Sequence, residues 1–183
     1  TSPNGHIYKY SLGKLSKIYP LDGEGPPEKP QAKPEESESR AGTDANETGQ
    51  VVKADAPLTN QHIFAMGVDV AGRLLAGISG KKCRLCRYEA GKMETIFEPN
   101  DATYIFDIEL DNVGNIYLGT GPEGKVYALD PSGKVAQLIY DSPDKNILTV
   151  AAGRDGAIYA GSDTRGLVYK INPRNKTATV VYD

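Results

Sequence analysis

Asp107 and Glu109 stand two residues apart in a run of apolar and β-favouring residues, so on a strand they share one face. Two carboxylates on one face can hold a cation or a polar ligand, or accept hydrogen bonds from neighbouring backbone. Glu123, Asp163 and Arg165, with Lys81, Lys82 and Arg84 nearby, fall in short stretches rich in Gly, Pro and Asp. Such stretches read as turns, where a charged side chain meets either solvent or a ligand. These five residues, Asp107, Glu109, Glu123, Asp163 and Arg165, are the candidate ligand-binding residues.

Other patterns carry less chemistry. Gly119, Gly121 and Gly124 match G-x-G-x-x-G, but they lead into Lys125–Leu129, which reads as a strand. A dinucleotide site needs a helix N-terminus there to hold the pyrophosphate. Cys83 and Cys86 match C-x-x-C, yet on a strand residues three apart lie about 10 Å apart on opposite faces. A disulfide needs Cα atoms within about 7 Å, and zinc needs two further ligands that no second cysteine pair supplies. His6 and His62 lack a flanking serine or cysteine signature of nucleophilic catalysis. No catalytic residue and no cofactor is expected, and a Ca2+ ion at Asp107 and Glu109 finds no further support in the sequence.

The composition sets the frame that must position these residues. The chain has 183 residues, 39% hydrophobic and 25% charged, with a net charge of −3. That balance lacks the basic stripe of a nucleic-acid binder. No apolar run approaches the ~18 residues of a membrane-spanning helix. Twenty glycines, 11 tyrosines and no tryptophan point to short strands and tight turns.

Residues 22–56 form a separate segment. From Asp22 to Gln50 there is no aliphatic residue larger than Ala, no Met and no aromatic residue, and the whole segment carries nine acidic residues against four basic ones. Such a stretch cannot bury enough apolar area to offset an ordering entropy of roughly 1–2 kcal/mol per residue. It is expected to be a disordered insertion in a surface connection.

The remainder repeats. Gly72, Gly114 and Gly156 are evenly spaced, and Gly77, Gly119 and Gly161 recur at the same interval, as do Ile63, Ile105 and Ile147. Each unit contains four short β-type runs separated by turns rich in Asp, Gly, Asn and Pro. The turns are too short for parallel crossovers, so each unit is predicted to be a four-stranded antiparallel meander. A meander that recurs at such an interval, roughly 40–45 residues, is the mark of a β-propeller blade. Residues 57–183 hold three blades. Residues 1–21 match the third and fourth strands of another, since Gly5, Ile7 and Tyr8 parallel Gly124, Val126 and Tyr127. The fold class is therefore all-β, a partial propeller of about three and a half blades. In that alignment Cys83 and Cys86 fall at the glycine and tyrosine positions of the other blades, which makes them variants of a structural pattern.

The segments 114–134 and 156–173 resemble bacterial propellers of the NHL, WD-repeat-like and sensor-propeller type. The resemblance covers residues 1–21 and about 57–183. The Trp-Asp dipeptide of true WD repeats is missing, as are the tryptophans of quinoprotein dehydrogenases. The resemblance implies a rigid platform whose inner strands line a channel and whose loops contact a ligand, and it implies an extracytoplasmic location. It does not assign an activity, because this fold hosts many.

Three functions follow as expectations. The leading one is a non-enzymatic binding or scaffold module that recognises a protein, peptide or glycan. The second is a lactonase-like hydrolase with a metal or carboxylate site at the channel mouth, and the third is an extracytoplasmic sensor domain of a larger signalling protein. Since propellers have about 4–8 blades, the expected partners include further blades of the same chain or a second copy.

Overall fold

The computed structural model describes residues 5–19 and 61–183. The segment read as a disordered insertion, 22–56, lies outside the described residues. The described residues are strands joined by turns and short connections. An N-terminal hairpin pairs β1 (Ile7–Ser11) with β2 (Lys14–Tyr19). The first blade contains β3 (His62–Val68), β4 (Leu74–Ser79), β5 (Arg84–Glu89) and β6 (Lys92–Phe97). The second contains β7 (Tyr104–Leu110), β8 (Ile116–Gly121), β9 (Lys125–Leu129) and β10 (Ala136–Asp141). The third contains β11 (Ile147–Ala152), β12 (Ile158–Ser162), β13 (Val168–Asn172) and β14 (Thr177–Tyr182). Each blade is an antiparallel sheet whose strands pair in sequence order. The fold is a partial β-propeller.

The repeated residues do the same work in each blade. Gly72, Gly114 and Gly156 adopt φ of +77°, +90° and +79° in the turn between first and second strands, where a side chain would be strained. Gly77 and Gly119 let the second strand approach the next blade. A Cβ on Gly77 would sit 2.7 Å from Ile105, and one on Gly119 would sit 2.9 Å from the Ile147 carbonyl. The repeated isoleucines Ile63, Ile105 and Ile147 are thus the wedges, each at most 3% exposed.

Packing is blade on blade. Leu75 and Leu85 of the first blade meet Ile105, Ile108, Leu118 and Leu129 of the second. Tyr117 and Val126 of the second meet Ile147, Ile158, Tyr169 and Ile171 of the third. The hairpin covers the opposite side of the first blade through Ile7, Ile18 and Tyr19, which pack with Ala76, Ile78 and Cys86. Cys86 pairs with Ala76 as Tyr127 pairs with Leu118 and Tyr169 with Ala160, so it occupies the tyrosine position of the pattern. Both cysteines are buried thiols that form no disulfide, and burial pushes the Cys83 thiol up to about 12.

The apolar character of the first strands is only partly used among the described residues. Met66 and Val68 on β3, and Leu148 on β11, stay exposed. The hairpin supplies only the outer two strands of its blade, so nothing described covers the inner part of the first blade on that side.

Candidate functional site

The inner edge of the propeller is formed by β3, β7 and β11, side by side. Each of these strands carries a β-bulge at the same place, between Ile63 and Ala65, Ile105 and Asp107, and Ile147 and Thr149. A bulged residue is unpaired and turns its side chain away from the regular pleat. The bulged residues are Phe64, Phe106 and Leu148. Phe64 is 50% exposed and Leu148 46%.

Phe64 and Phe106, with the residues two places earlier, His62 and Tyr104, form an aromatic cluster. The Phe64 ring lies 5.6 Å from His62, 5.6 Å from Phe106 and 6.2 Å from Tyr104, and Tyr104 stacks on Phe106 at 5.4 Å. These are the distances of favourable ring pairs. Gly121 makes room for this arrangement, because a Cβ there would come within 2.8 Å of Phe106. The cluster lies where the chain enters the inner strands, the end that also carries the β4–β5, β8–β9 and β12–β13 turns. Sequence reasoning missed it. The available signal was the residue following each repeated isoleucine, which is apolar in all three blades.

Of the charged candidates, Glu123, Asp163 and Arg165 lie in the turns at this mouth, while Asp107 and Glu109 lie further along β7, and most of them are engaged. Asp107 accepts from the Thr149 hydroxyl at 2.9 Å and the Val150 N–H at 2.8 Å, and its other oxygen accepts from the Ile108 N–H. Glu109 accepts from the Ala152 N–H at 3.3 Å. Both carboxylates therefore reach from β7 to the backbone of β11 and join the second blade to the third. Asp163 accepts from the Asn146 side chain at 2.5 Å and from its N–H at 3.2 Å. Glu123 is exposed in the β8–β9 turn. Among the described residues no three His, Cys, Asp or Glu side chains gather closely enough to hold a metal ion.

Arg165 belongs to a clasp that the blades repeat. Its Nε donates to buried Asp144 at 2.8 Å, and Asp144 also accepts from the Ser162 hydroxyl at 2.6 Å and the Tyr169 hydroxyl at 3.0 Å. One blade earlier, Lys125 and the Tyr127 hydroxyl both donate to Asp101. The tyrosine is packed from behind by the last aromatic residue of the preceding blade, Phe97 on Tyr127 at 5.3 Å and Tyr140 on Tyr169 at 4.9 Å. The first blade keeps a version of it, with Arg84 donating to the Tyr19 hydroxyl at 2.7 Å.

The Arg165, Ser162 and Tyr169 donors hold the Asp144 carboxyl below the usual carboxylate range. Burial would push Asp101 up, but Lys125 and Tyr127 outweigh it and the net direction is down. A folded value below the unfolded one, about 3.9 for Asp, means that the unfolded chain binds more protons at low pH. Stability is thus full above pH ~4 and falls as pH drops through the folded values. Denaturant titration from pH 7 to 3 should show this decline, and Asp144→Asn should flatten it while lowering stability at neutral pH.

No protein-family model and no curated sequence matches the chain. Solved structures do match in fold. A catalytically inactive virginiamycin B lyase from Staphylococcus aureus, solved with quinupristin, superposes with a TM-score of 0.58 at 15% identity, over 70% of this chain and 43% of its own. The extracellular domain of a protein described as a hybrid two-component system from B. thetaiotaomicron gives 0.65 at 17% identity, over 98% of this chain and 20% of its own. A protein described as a gluconolactonase gives 0.50 at 18%, over 62% and 45%. These are propeller-type proteins, some enzymes and some extracellular sensor domains, and the chain spans less than half the length of each. The likeness defines a class by architecture.

Proposed function

We propose that the chain is a non-enzymatic, ligand-binding propeller module that takes a peptide or glycan at the inner-edge mouth. The observation that carries this reading is the cluster of His62, Phe64, Tyr104 and Phe106, with exposed Leu148 at the equivalent bulge of the third blade. Rings held on rigid strands, Phe64 and Tyr104 exposed and His62 and Phe106 half-buried beside them, bind at little entropic cost, because they are already in place. They offer flat apolar faces to sugar rings, proline or aromatic side chains. Glu123, Asp163 and the lysines of the β4–β5 turn supply a polar rim around that platform.

The engagement of Asp107 and Glu109 with the β11 backbone supports a joining role for these carboxylates over a hydrolytic one. The likeness to extracellular sensor domains supports an extracytoplasmic setting in which this module reports a ligand to further domains, with additional blades completing the ring.

The test is a binding screen of the full chain against oligosaccharides and against proline- and aromatic-containing peptides, followed by tyrosine fluorescence. Tyr104 is the reporter within the cluster, and Phe64→Ala and Phe106→Ala are the variants. Each variant should weaken binding by about tenfold, the loss of one stacking contact of roughly 1–1.5 kcal/mol. Binding that both variants leave unchanged would overturn the assignment of the mouth.

A further inference from the structure

A second site lies at the opposite end of the sheets, where the β7–β8 and β9–β10 turns of the second blade face the third blade. A cleft of about 850 Å³ opens there, and its walls include Asp111, Tyr117, Ala128, Pro173 and Arg174. The corresponding groove between first and second blades is bridged by the Arg87 side chain. Its guanidinium donates to the Pro131 carbonyl at 2.7 Å and the Ser132 carbonyl at 2.9 Å, and its Nε lies 3.3 Å from the Asp69 carboxylate.

The repeat gives each of these groups a counterpart one interface later. Arg87 pairs with Leu75, and Ala128 pairs with Tyr117, one repeat beyond Leu75, so Ala128 occupies the arginine position. Asp111, Pro173 and Arg174 lie one repeat beyond Asp69, Pro131 and Ser132. The acceptors of the guanidinium site are thus repeated and the guanidinium is not. The walls confirm the difference. Gly114 lies against Val70, whose methyls are 3.2 Å from where its Cβ would be, whereas its counterpart Gly156 has open space around it.

The charge balance differs in the same sense. Asp69 faces two guanidiniums, those of Arg73 and Arg87. Asp111 receives only neutral donors, the N–H groups of Val113 and Asn115, the Asn115 amide and the Tyr117 hydroxyl, and it makes no ion pair among the described residues. Lys170, which also lines the cleft, is bound to Asp155 at 2.8 Å.

We infer that the cleft between second and third blades is a receptor for a guanidinium group on an alkyl stem, an arginine side chain supplied from outside. The group would place its N–H fork on the Pro173 and Arg174 carbonyls and its charge toward Asp111, as Arg87 does within the chain. A planar fork with several donors fits this set of acceptors, and an ammonium does not.

The experiment is calorimetric titration of the full chain with Nα-acetyl-arginine methylamide, its citrulline analogue of the same shape without charge, and the lysine equivalent. The arginine compound should bind, with the other two weaker by about tenfold or more. Free L-arginine run beside the blocked compound separates a free amino acid from a peptide-borne residue by which of them binds more tightly. Ala128→Arg should abolish binding, because the variant's own guanidinium takes the position the ligand would use, and should raise the thermal midpoint, which shows that the fold is kept. Equal binding of the citrulline compound, binding that survives Ala128→Arg, or no binding of the arginine compound at millimolar concentration would each overturn the inference.

Discussion

Replacing Gly124 by alanine should lower the unfolding free energy by about 3 kcal/mol or more, while the same change at Gly166 should cost about 1 kcal/mol. The two glycines hold the same place in consecutive blades, at the start of the third strand, with φ of +56° and +68°. Both would strain an L side chain in the left-handed region, a cost of roughly 1–2 kcal/mol. Only Gly124 lies beneath the connection to a following blade. A Cβ there would drive into the Asp144 carbonyl and meet the Lys145 backbone, whereas a Cβ on Gly166 would meet nothing within 4 Å. Alanine at 124 must push that connection away, and the connection carries the carboxylate that holds Arg165, Ser162 and Tyr169. The paired alanine variants, compared by urea denaturation, isolate the blade-to-blade contact from the backbone strain that both share. Equal losses at the two positions would mean that the connection does not bear on Gly124.

Arg87→Ala should cost about 3 kcal/mol, the lower end of the range for removing one member of a buried ion pair. Arg87 and Asp69 are each only 6% exposed. The side chain spans the first interface, and its loss strands the Pro131 and Ser132 carbonyls and leaves Asp69 with one guanidinium, that of Arg73, besides the Ala71 and Arg73 N–H groups. Retention of Arg73 on Asp69, at 2.8 Å, is what keeps the loss from the upper end of the range. Arg87→Lys should recover only part of it, because an ammonium cannot reach both carbonyls and the carboxylate from one plane. A loss below about 1 kcal/mol, the scale of an exposed pair, would show that Arg87 is not the bridge across this groove.

The architecture was legible because the repeated residues carry the same physical burden in every blade. Gly72, Gly114 and Gly156 must take positive φ, and Ile63, Ile105 and Ile147 must wedge between sheets, so substitution at these positions is costly and the period shows through. The candidate site was legible only in part, for three physical reasons. Phe64, Phe106 and Leu148 look like ordinary strand residues until the bulge takes them out of the ladder, and a bulge is a property of pairing that composition does not reveal. Asp107 and Glu109 were readable as sharing a face, but the Val150 and Ala152 N–H groups they meet belong to another blade. The Arg165 clasp depends on Asp144, which sits in a connection that sequence reading treats as a turn. The cleft beside Ala128 was hidden because an alanine in a strand attracts no notice until its counterpart is seen to be Arg87.

The most direct measurement for the binding assignment is two-dimensional NMR of the full chain, with side-chain methyl and aromatic labelling, titrated with whichever oligosaccharide or peptide binds in the screen. The account predicts that the largest shift changes fall on Phe64, Tyr104, Phe106 and Leu148, with those around Ala128 unmoved. Changes centred elsewhere on the blades, with these four residues silent, would contradict it.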